Sequence, residues 1–170
     1  RKFKNLEMKM ENKHIYSKKM NFFQTAELGE MVSKFLKEGD VIFLKGKIGT
    51  GKTHFARSLI NARMVLDNKY EEISSPTFNI VNVYDNLSPA IWHVDLYRLN
   101  STEELYELGL FSFLDDVITL IEWPEKMEKF IPSRFLQFYF EEINDINKRK
   151  ITISSNGLNW DNFSRNFKEK

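Results

Sequence analysis

The stretch Gly46 to Thr53 reads GKIGTGKT and fits the pattern Gly, four residues, Gly, Lys, then Ser or Thr. Glycines at 46, 49 and 51 permit backbone angles that residues with a β-carbon resist, so successive N–H groups can turn inward onto a phosphate. Lys52 supplies a mobile cation for β- and γ-phosphates, and Thr53 a hydroxyl for Mg²⁺. Along this loop Gly46, Ile48, Gly49, Thr50, Gly51, Lys52, Thr53 and His54 are the candidate contacts to a nucleotide such as ATP. The competing reading is a glycine-rich turn with a lone surface lysine. Context argues against it. Val41-Ile42-Phe43-Leu44 is a continuous apolar run, as a buried parallel strand requires. After the loop, Phe55, Leu59, Ala62 and Leu66 recur at helical spacing, so a helix dipole adds its positive end to the site.

A triphosphate bound through Mg²⁺ needs a carboxylate at the end of a neighbouring strand. Asp95 follows Ile91-Trp92-His93-Val94, and Glu122 follows Val117 to Ile121. With Thr53, these two acids are the candidate metal-side groups. One would hold the metal and the other orient the attacking water, and spacing leaves open which does which. A surface acid capping a loop is the plainer reading of each. Thr77 lies on a Pro-marked loop where a switch residue senses a γ-phosphate, or is a turn threonine. Trp123 stacks on a base or partner, or fills a rim of the core. Arg98 pairs with phosphate or with a surface acid. Lys52, Thr77, Asp95 and Glu122 are the candidate catalytic set.

Other constellations carry less. His14, His54 and His93 are not at metal-ligand spacing, and His54 reads as a surface residue of the helix. No Ser sits in a G-x-S-x-G elbow. Asp115-Asp116 and Glu141-Glu142 read as solvated pairs. Lys148-Arg149-Lys150 reads as a hairpin-tip cluster, soluble surface before it is an RNA contact.

The chain has 170 residues, 42% hydrophobic and 29% charged, enough for one globular domain with a real core. A net charge of +1 gives no field for nucleic acid or membrane. The absence of cysteine excludes thiolate chemistry and fits a cytoplasmic protein. No run reaches membrane-spanning length and no signal peptide is evident. Residues 1–13 read as a basic, flexible arm within a basic stretch reaching residue 20, and 14–170 as one domain. His14-Ile15-Tyr16 suggests a short edge strand. Thr25 is the expected cap of a helix carrying Leu28, Met31, Val32, Phe35 and Leu36, ended by Gly39-Asp40. Phe78 to Tyr84 and Ile91 to Val94 read as a hairpin inserted after the loop's helix. Ser101 to Glu104 reads as a capping box opening a short helix stopped by Gly109. Phe135 to Phe140 and Lys150 to Ile153 read as antiparallel strands, and Trp160, Phe163 and Phe167 as a closing helix. The fold class is α/β, a small P-loop NTPase fold whose mixed parallel and antiparallel sheet is flanked by helices.

The P-loop, Ser75-Pro76-Thr77-Phe78, His93 to Arg98, Glu104-Leu105 with Leu108-Gly109-Leu110, and Ile121-Glu122-Trp123-Pro124 occur in a linked order. Together they resemble the bacterial TsaE (YjeE) family, the ATPase subunit of tRNA threonylcarbamoyladenosine (t6A) synthesis, over roughly residues 20–155. The resemblance implies a small cytoplasmic ATPase, weak alone, that joins TsaB- and TsaD-like proteins and touches tRNA only indirectly. It implies Lys52 and Thr53 on phosphate and Mg²⁺, Thr77 as switch threonine, Asp95 and Glu122 as the acids of metal binding and hydrolysis, and Trp123 as the tryptophan beside the acid. Lys47 and Thr50 depart from the family's usual acid and alanine, so family-like rates are not implied. Two other readings remain: a P-loop kinase acting on a small metabolite or nucleoside, though no Arg-rich lid is visible, and a nucleotide-dependent binding module.

Overall fold

The computed structural model describes residues 12–101 and 103–168. The expected basic arm falls largely outside them. Two apolar runs set the architecture. Val41–Gly46 (β2) and Ile118–Glu122 (β5) lie side by side in parallel, with every residue of β5 buried. Side chains alternate across a strand. Ile42 and Leu44 therefore enter one core while Val41 and Phe43 enter a second on the opposite face.

The sheet has seven strands in the order β1-β7-β6-β2-β5-β4-β3. The remaining strands are Lys13–Asn21 (β1), Val81–Tyr84 (β3), Ile91–Asp95 (β4), Phe135–Glu142 (β6) and Lys148–Asn156 (β7). Strands β6, β2, β5 and β4 run parallel, and β1, β7 and β3 are antiparallel to their neighbours. Helices Phe22–Ser33 (α1), Lys52–Leu66 (α2) and Asp161–Lys168 (α5) supply one core, which holds Leu28, Phe55, Leu59 and Phe163. Short helices Glu103–Glu107 (α3) and Leu110–Phe113 (α4), with the 3₁₀ segment Pro124–Phe130, supply the other, through Leu105, Leu110 and Met127. Phe55 anchors the helix of the P-loop to the sheet, its ring 4.8 Å from Phe138 and 5.8 Å from Phe140. Among the described residues no helix is long and apolar enough to cross a membrane.

Several boundaries differ from the sequence reading. The edge strand expected at His14 to Tyr16 runs nine residues, with Ile15 and Met20 buried between exposed lysines. A register shift between His14 and Tyr16 breaks the strand's alternation, so Ile15 and Met20, five apart, give no period-2 signal. The cap of α1 is Asn21, not Thr25. Asn21 Oδ1 accepts from Gln24 N, and Gln24 Oε1 accepts from Asn21 N. Thr25 sits in the first turn and donates its hydroxyl to Asn21 O. The helix ends at Ser33, before Phe35 and Leu36, and Leu36 is buried from the turn that follows. Phe78 to Ile80 form a turn, not strand, with Ile80 at φ 64°. The expected capping box includes Thr102, which is outside the described residues; Glu104 Oε1 accepts from Asn100 N at 3.3 Å. The expected hairpin is present, Val81 to Tyr84 pairing antiparallel with Ile91 to Val94, and its second strand also joins the parallel centre of the sheet by pairing with β5.

Candidate nucleotide-binding site

The P-loop leaves β2 at Gly46, where the chain passes hard against β6. A β-carbon there would stand 2.5 Å from Phe140 O and 2.9 Å from Thr50 Oγ1. Thr50, itself buried, closes the loop from beneath by donating its hydroxyl to Lys47 O at 2.8 Å. Gly49 and Gly51 differ in kind. Both have positive φ, +76° and +102°, and among the described residues no atom stands within 4 Å of where a β-carbon would be. They line an open concavity at the amino end of α2, where unpaired N–H groups and the helix dipole favour an anion.

Lys52 folds back over its own loop. Its Nζ donates to Gly46 O and Lys47 O, each at 2.8 Å, and stands 4.3 Å from the centre of the Trp123 ring. Burial lowers its pKa below the ordinary lysine value, and the carboxylates of Glu122, Asp95 and Glu125 oppose that shift. Trp123 has a left-handed backbone, φ 59° and ψ 49°, uncommon for a bulky residue. That turn, directly after β5 and before Pro124, sets the indole across the loop's mouth, with the Tyr97 ring 5.0 Å away.

Asp95 and Glu122 are register partners at the carboxyl ends of β4 and β5. Each carboxylate holds two donors. Asp95 Oδ2 accepts from the Thr77 hydroxyl at 3.0 Å and Oδ1 from Tyr97 N at 2.9 Å. The Ser75 hydroxyl lies 2.8 Å from that of Thr77. Glu122 Oε2 accepts from the Thr53 hydroxyl at 3.0 Å, and His93 Nε2 lies 2.9 Å from Oε1.

A cavity of about 470 Å³ brings these groups together, lined by Ile48, Gly49, Gly51, Lys52, Thr53, His54, Thr77, Asp95, Tyr97, Arg98, Glu122 and Trp123. Gly46 and Thr50 do not line it; Gly46 borders a neighbouring cleft with Tyr97 and Trp123, and Thr50 the cleft at His54. His54 also borders a second cleft on the other side of the loop, with Asn21, Phe22 and Arg149. Its ring stacks on Phe22 at 3.6 Å between centroids, and its Nε2 lies 3.0 Å from Phe22 O. The Arg98 guanidinium lies over the Phe78 ring at 4.6 Å. Lys47 pairs with Glu142 at 3.4 Å, and the hairpin-tip lysines pair locally, Lys148 with Asp145 and Lys150 with Glu141.

The donor set suits Mg²⁺. A hydroxyl and two carboxylates are hard oxygen ligands, and Mg²⁺ takes one or two carboxylates and completes its shell with phosphate and water. The open cradle at Gly49 and Gly51 suits a polyphosphate.

Sequence reasoning missed His93, Tyr97, Ser75 and Phe22. His93 was legible in one respect: two residues before Asp95 in a strand, it shares that residue's face. Weighing it only as a metal ligand hid this. The Tyr97 N–H is held by Asp95 two residues before it, a turn an Asp can signal, whereas Phe22, the first residue of α1, meets His54 only through the tertiary fold.

Comparison with known proteins gives a consistent result. A family model described as "Threonylcarbamoyl adenosine biosynthesis protein TsaE" matches residues 20–151. The tRNA threonylcarbamoyladenosine biosynthesis protein TsaE of Rickettsia felis is 35% identical over 133 residues, 78% of this chain and 75% of the relative. The protein of the same name from Treponema pallidum is 32% identical over 131 residues, 76% of this chain and 93% of the relative. The crystal structure of Bacillus subtilis YdiB shares the fold, with a TM-score of 0.70 over 95% of each chain at 23% identity. Matched by the family model over residues 20–151 and by relatives above 30% identity, the chain belongs to the TsaE family.

Proposed function

We propose that the protein is a Mg²⁺-dependent ATPase serving the threonylcarbamoyladenosine modification of tRNA, at the adenosine beside the anticodon. It acts in concert with TsaB- and TsaD-like proteins, and tRNA contact is indirect. The observation that carries this reading is the convergence on one cavity of the P-loop pair Lys52 and Thr53 with two strand-end acids, each already hydrogen-bonded to a threonine. Family membership supplies the biological setting.

On this reading the N–H groups of residues 49–53 donate to phosphate oxygens. Lys52 exchanges the carbonyls of Gly46 and Lys47 for the β- and γ-phosphates. Thr53 and Glu122 hold the metal, which when bound neutralises charge on those phosphates. Asp95 and Thr77 face the γ-phosphate from the loop side. The Asp95 carboxylate accepts a hydrogen bond from the attacking water, and Thr77 reports the γ-phosphate to the loop that carries it. The indole of Trp123 covers the Lys52 side and excludes bulk water. The cleft at Phe22 and His54 takes the nucleoside end. Slow turnover alone and faster turnover with partners follow if the partners complete the open side of the cavity.

The test is phosphate release by the protein alone and with its TsaB- and TsaD-like partners, using Lys52→Ala as the blank. Stimulation that the blank abolishes supports the reading. Phosphate transfer to a small metabolite acceptor, without stimulation, would replace it with a kinase. Tight ATP binding with no turnover in either setting would make the protein a nucleotide-dependent binding module.

A further inference from the structure

We propose that His93 is a positioning residue that fixes the rotamer of Glu122, so that only Oε2 is presented to Thr53 and the metal side of the cavity. This rests on the function proposed above for its consequence, but not for its geometry. The two side chains face each other from adjacent strands, with 2.9 Å between His93 Nε2 and Glu122 Oε1. His93 is 0% exposed and Glu122 2%. With a carboxylate at Glu122 the shared hydrogen belongs to the imidazole, so Nε2 donates. Among the described residues the other ring nitrogen, Nδ1, is buried without a hydrogen-bond partner, so Glu122 is the one polar group among them that this ring serves. A buried histidine kept for packing alone would be replaced by an apolar side chain without loss.

The arrangement has a chemical consequence. A free glutamate rotates about three torsions, and a carboxylate with both oxygens free offers a metal either one or both. Here Oε1 is occupied by His93 and Oε2 is aimed at the Thr53 hydroxyl. Glu122 thus offers a single oxygen in a fixed direction. Such an outer partner typically carries 10- to 100-fold in metal affinity or activity. Asp95 is held differently, by a backbone N–H and by Thr77 on a loop, so it is free to move with that loop while Glu122 is not. The two acids are therefore unequal: one rigid, one coupled to a switch segment.

The test uses His93→Gln, whose amide nitrogen reaches the place of Nε2, and His93→Met, which fills the volume without a donor. His93→Asn, polar but too short to reach Oε1, replaces the Met variant if that one does not fold. Two readouts are made on unliganded and liganded protein. The first is a crystal structure of each variant without nucleotide. The Thr53–Glu122 bond is expected to persist in His93→Gln and to be lost in His93→Met or His93→Asn. The second is the Mg²⁺ concentration giving half-maximal binding of ADP, followed by fluorescence. It is expected to rise by about tenfold or more in the Met or Asn variant and to stay within about threefold of the parent in the Gln variant. A Glu122 that keeps its place in every variant, with an unchanged Mg²⁺ requirement, overturns the proposal. If the parent protein shows no Mg²⁺ requirement at all, the metal reading fails, and the crystal structures alone decide whether His93 positions Glu122.

Discussion

The hydroxyl of Thr53 donates to Glu122 Oε2 across 3.0 Å, joining the first turn of α2 to the end of β5, 69 positions apart in the chain. This bond ties the loop to the strand-end acid. Thr53→Ala removes the bond and, on the proposed function, a metal ligand. Mg²⁺-dependent, partner-stimulated turnover is expected to fall by about 10- to 100-fold, with Thr53→Ser retaining most of it. Phosphate-release assays across a Mg²⁺ series check this. Equal activity in the Ala and Ser variants would contradict it.

Lys52 is an ammonium group buried against an indole and two carbonyls, and in the unliganded protein that burial costs stability. Its folded-state pKa lies below the ordinary 10.5, so between those values the unfolded chain binds more protons and stability rises with pH. The penalty is fully present below the folded-state value and is relieved as the pH rises from there to 10.5. Lys52→Met is expected to stabilise the unliganded protein at pH 7 by about 1 kcal/mol, a rise in Tm of roughly 2–4 °C, while abolishing nucleotide binding. Thermal melts at pH 7 with and without ATP separate the two effects. A lower Tm for the variant would show that the hydrogen bonds to Gly46 and Lys47 outweigh the burial.

The glycines of the loop are predicted to fail in different ways. Gly46→Ala drives a methyl to 2.5 Å from a backbone oxygen of β6, at φ +142°. It is expected to destabilise the fold by about 3 kcal/mol or more, since neither strand can give way. Gly49→Ala meets nothing within 4 Å and bears only the strain of a positive φ, about 1 kcal/mol. Its methyl instead enters the space proposed for phosphate. Urea unfolding beside ATP titration is expected to show Gly46→Ala as the stability variant and Gly49→Ala as the binding variant.

Tyr84, on β3 and buried at 3% exposure, has its pKa raised above the ordinary 10.0 by burial. Below pH 10 both folded and unfolded forms keep the phenol neutral, and its contribution is fully present. As pH rises toward the folded-state value, the unfolded chain loses its proton first and stability falls, by up to about 1.4 kcal/mol per pH unit. Tyr84→Phe is expected to remove that part of the alkaline slope. Denaturant unfolding of both proteins between pH 9 and 11 measures the difference.

What was legible in the sequence follows from how local each signal is. The apolar runs of β2 and β5 are buried on both faces and declare themselves without reference to a partner, as does the helical spacing of Trp160, Phe163 and Phe167. The strand β1 does not. Its partner is β7, and the Ser17 and Thr152 hydroxyls that meet across the two strands are 135 positions apart. Asn21, the true cap of α1, lies in the same charged stretch, and Thr25 imitates a cap a turn later. In the site, Asp95 and Glu122 were readable because acids ending apolar strands are conspicuous. That they are register partners depended on β4 joining the parallel centre of the sheet, which a hairpin reading obscures. His93 carries no motif of its own, and its part emerges only when the ring is seen against the Glu122 carboxylate.

Gly46 to Thr53 is proposed to bind a magnesium nucleotide with Glu122 on the metal side. The most direct measurement is a crystal structure of the protein with Mn²⁺ and a non-hydrolysable ATP analogue, with anomalous scattering locating the metal. One anomalous peak is expected beside the Thr53 hydroxyl on the Glu122 side, with Lys52 moved from its loop carbonyls onto phosphate. A nucleotide bound elsewhere, or a metal peak remote from Thr53 and Glu122 while Lys52 keeps its bonds to Gly46 and Lys47, would contradict it.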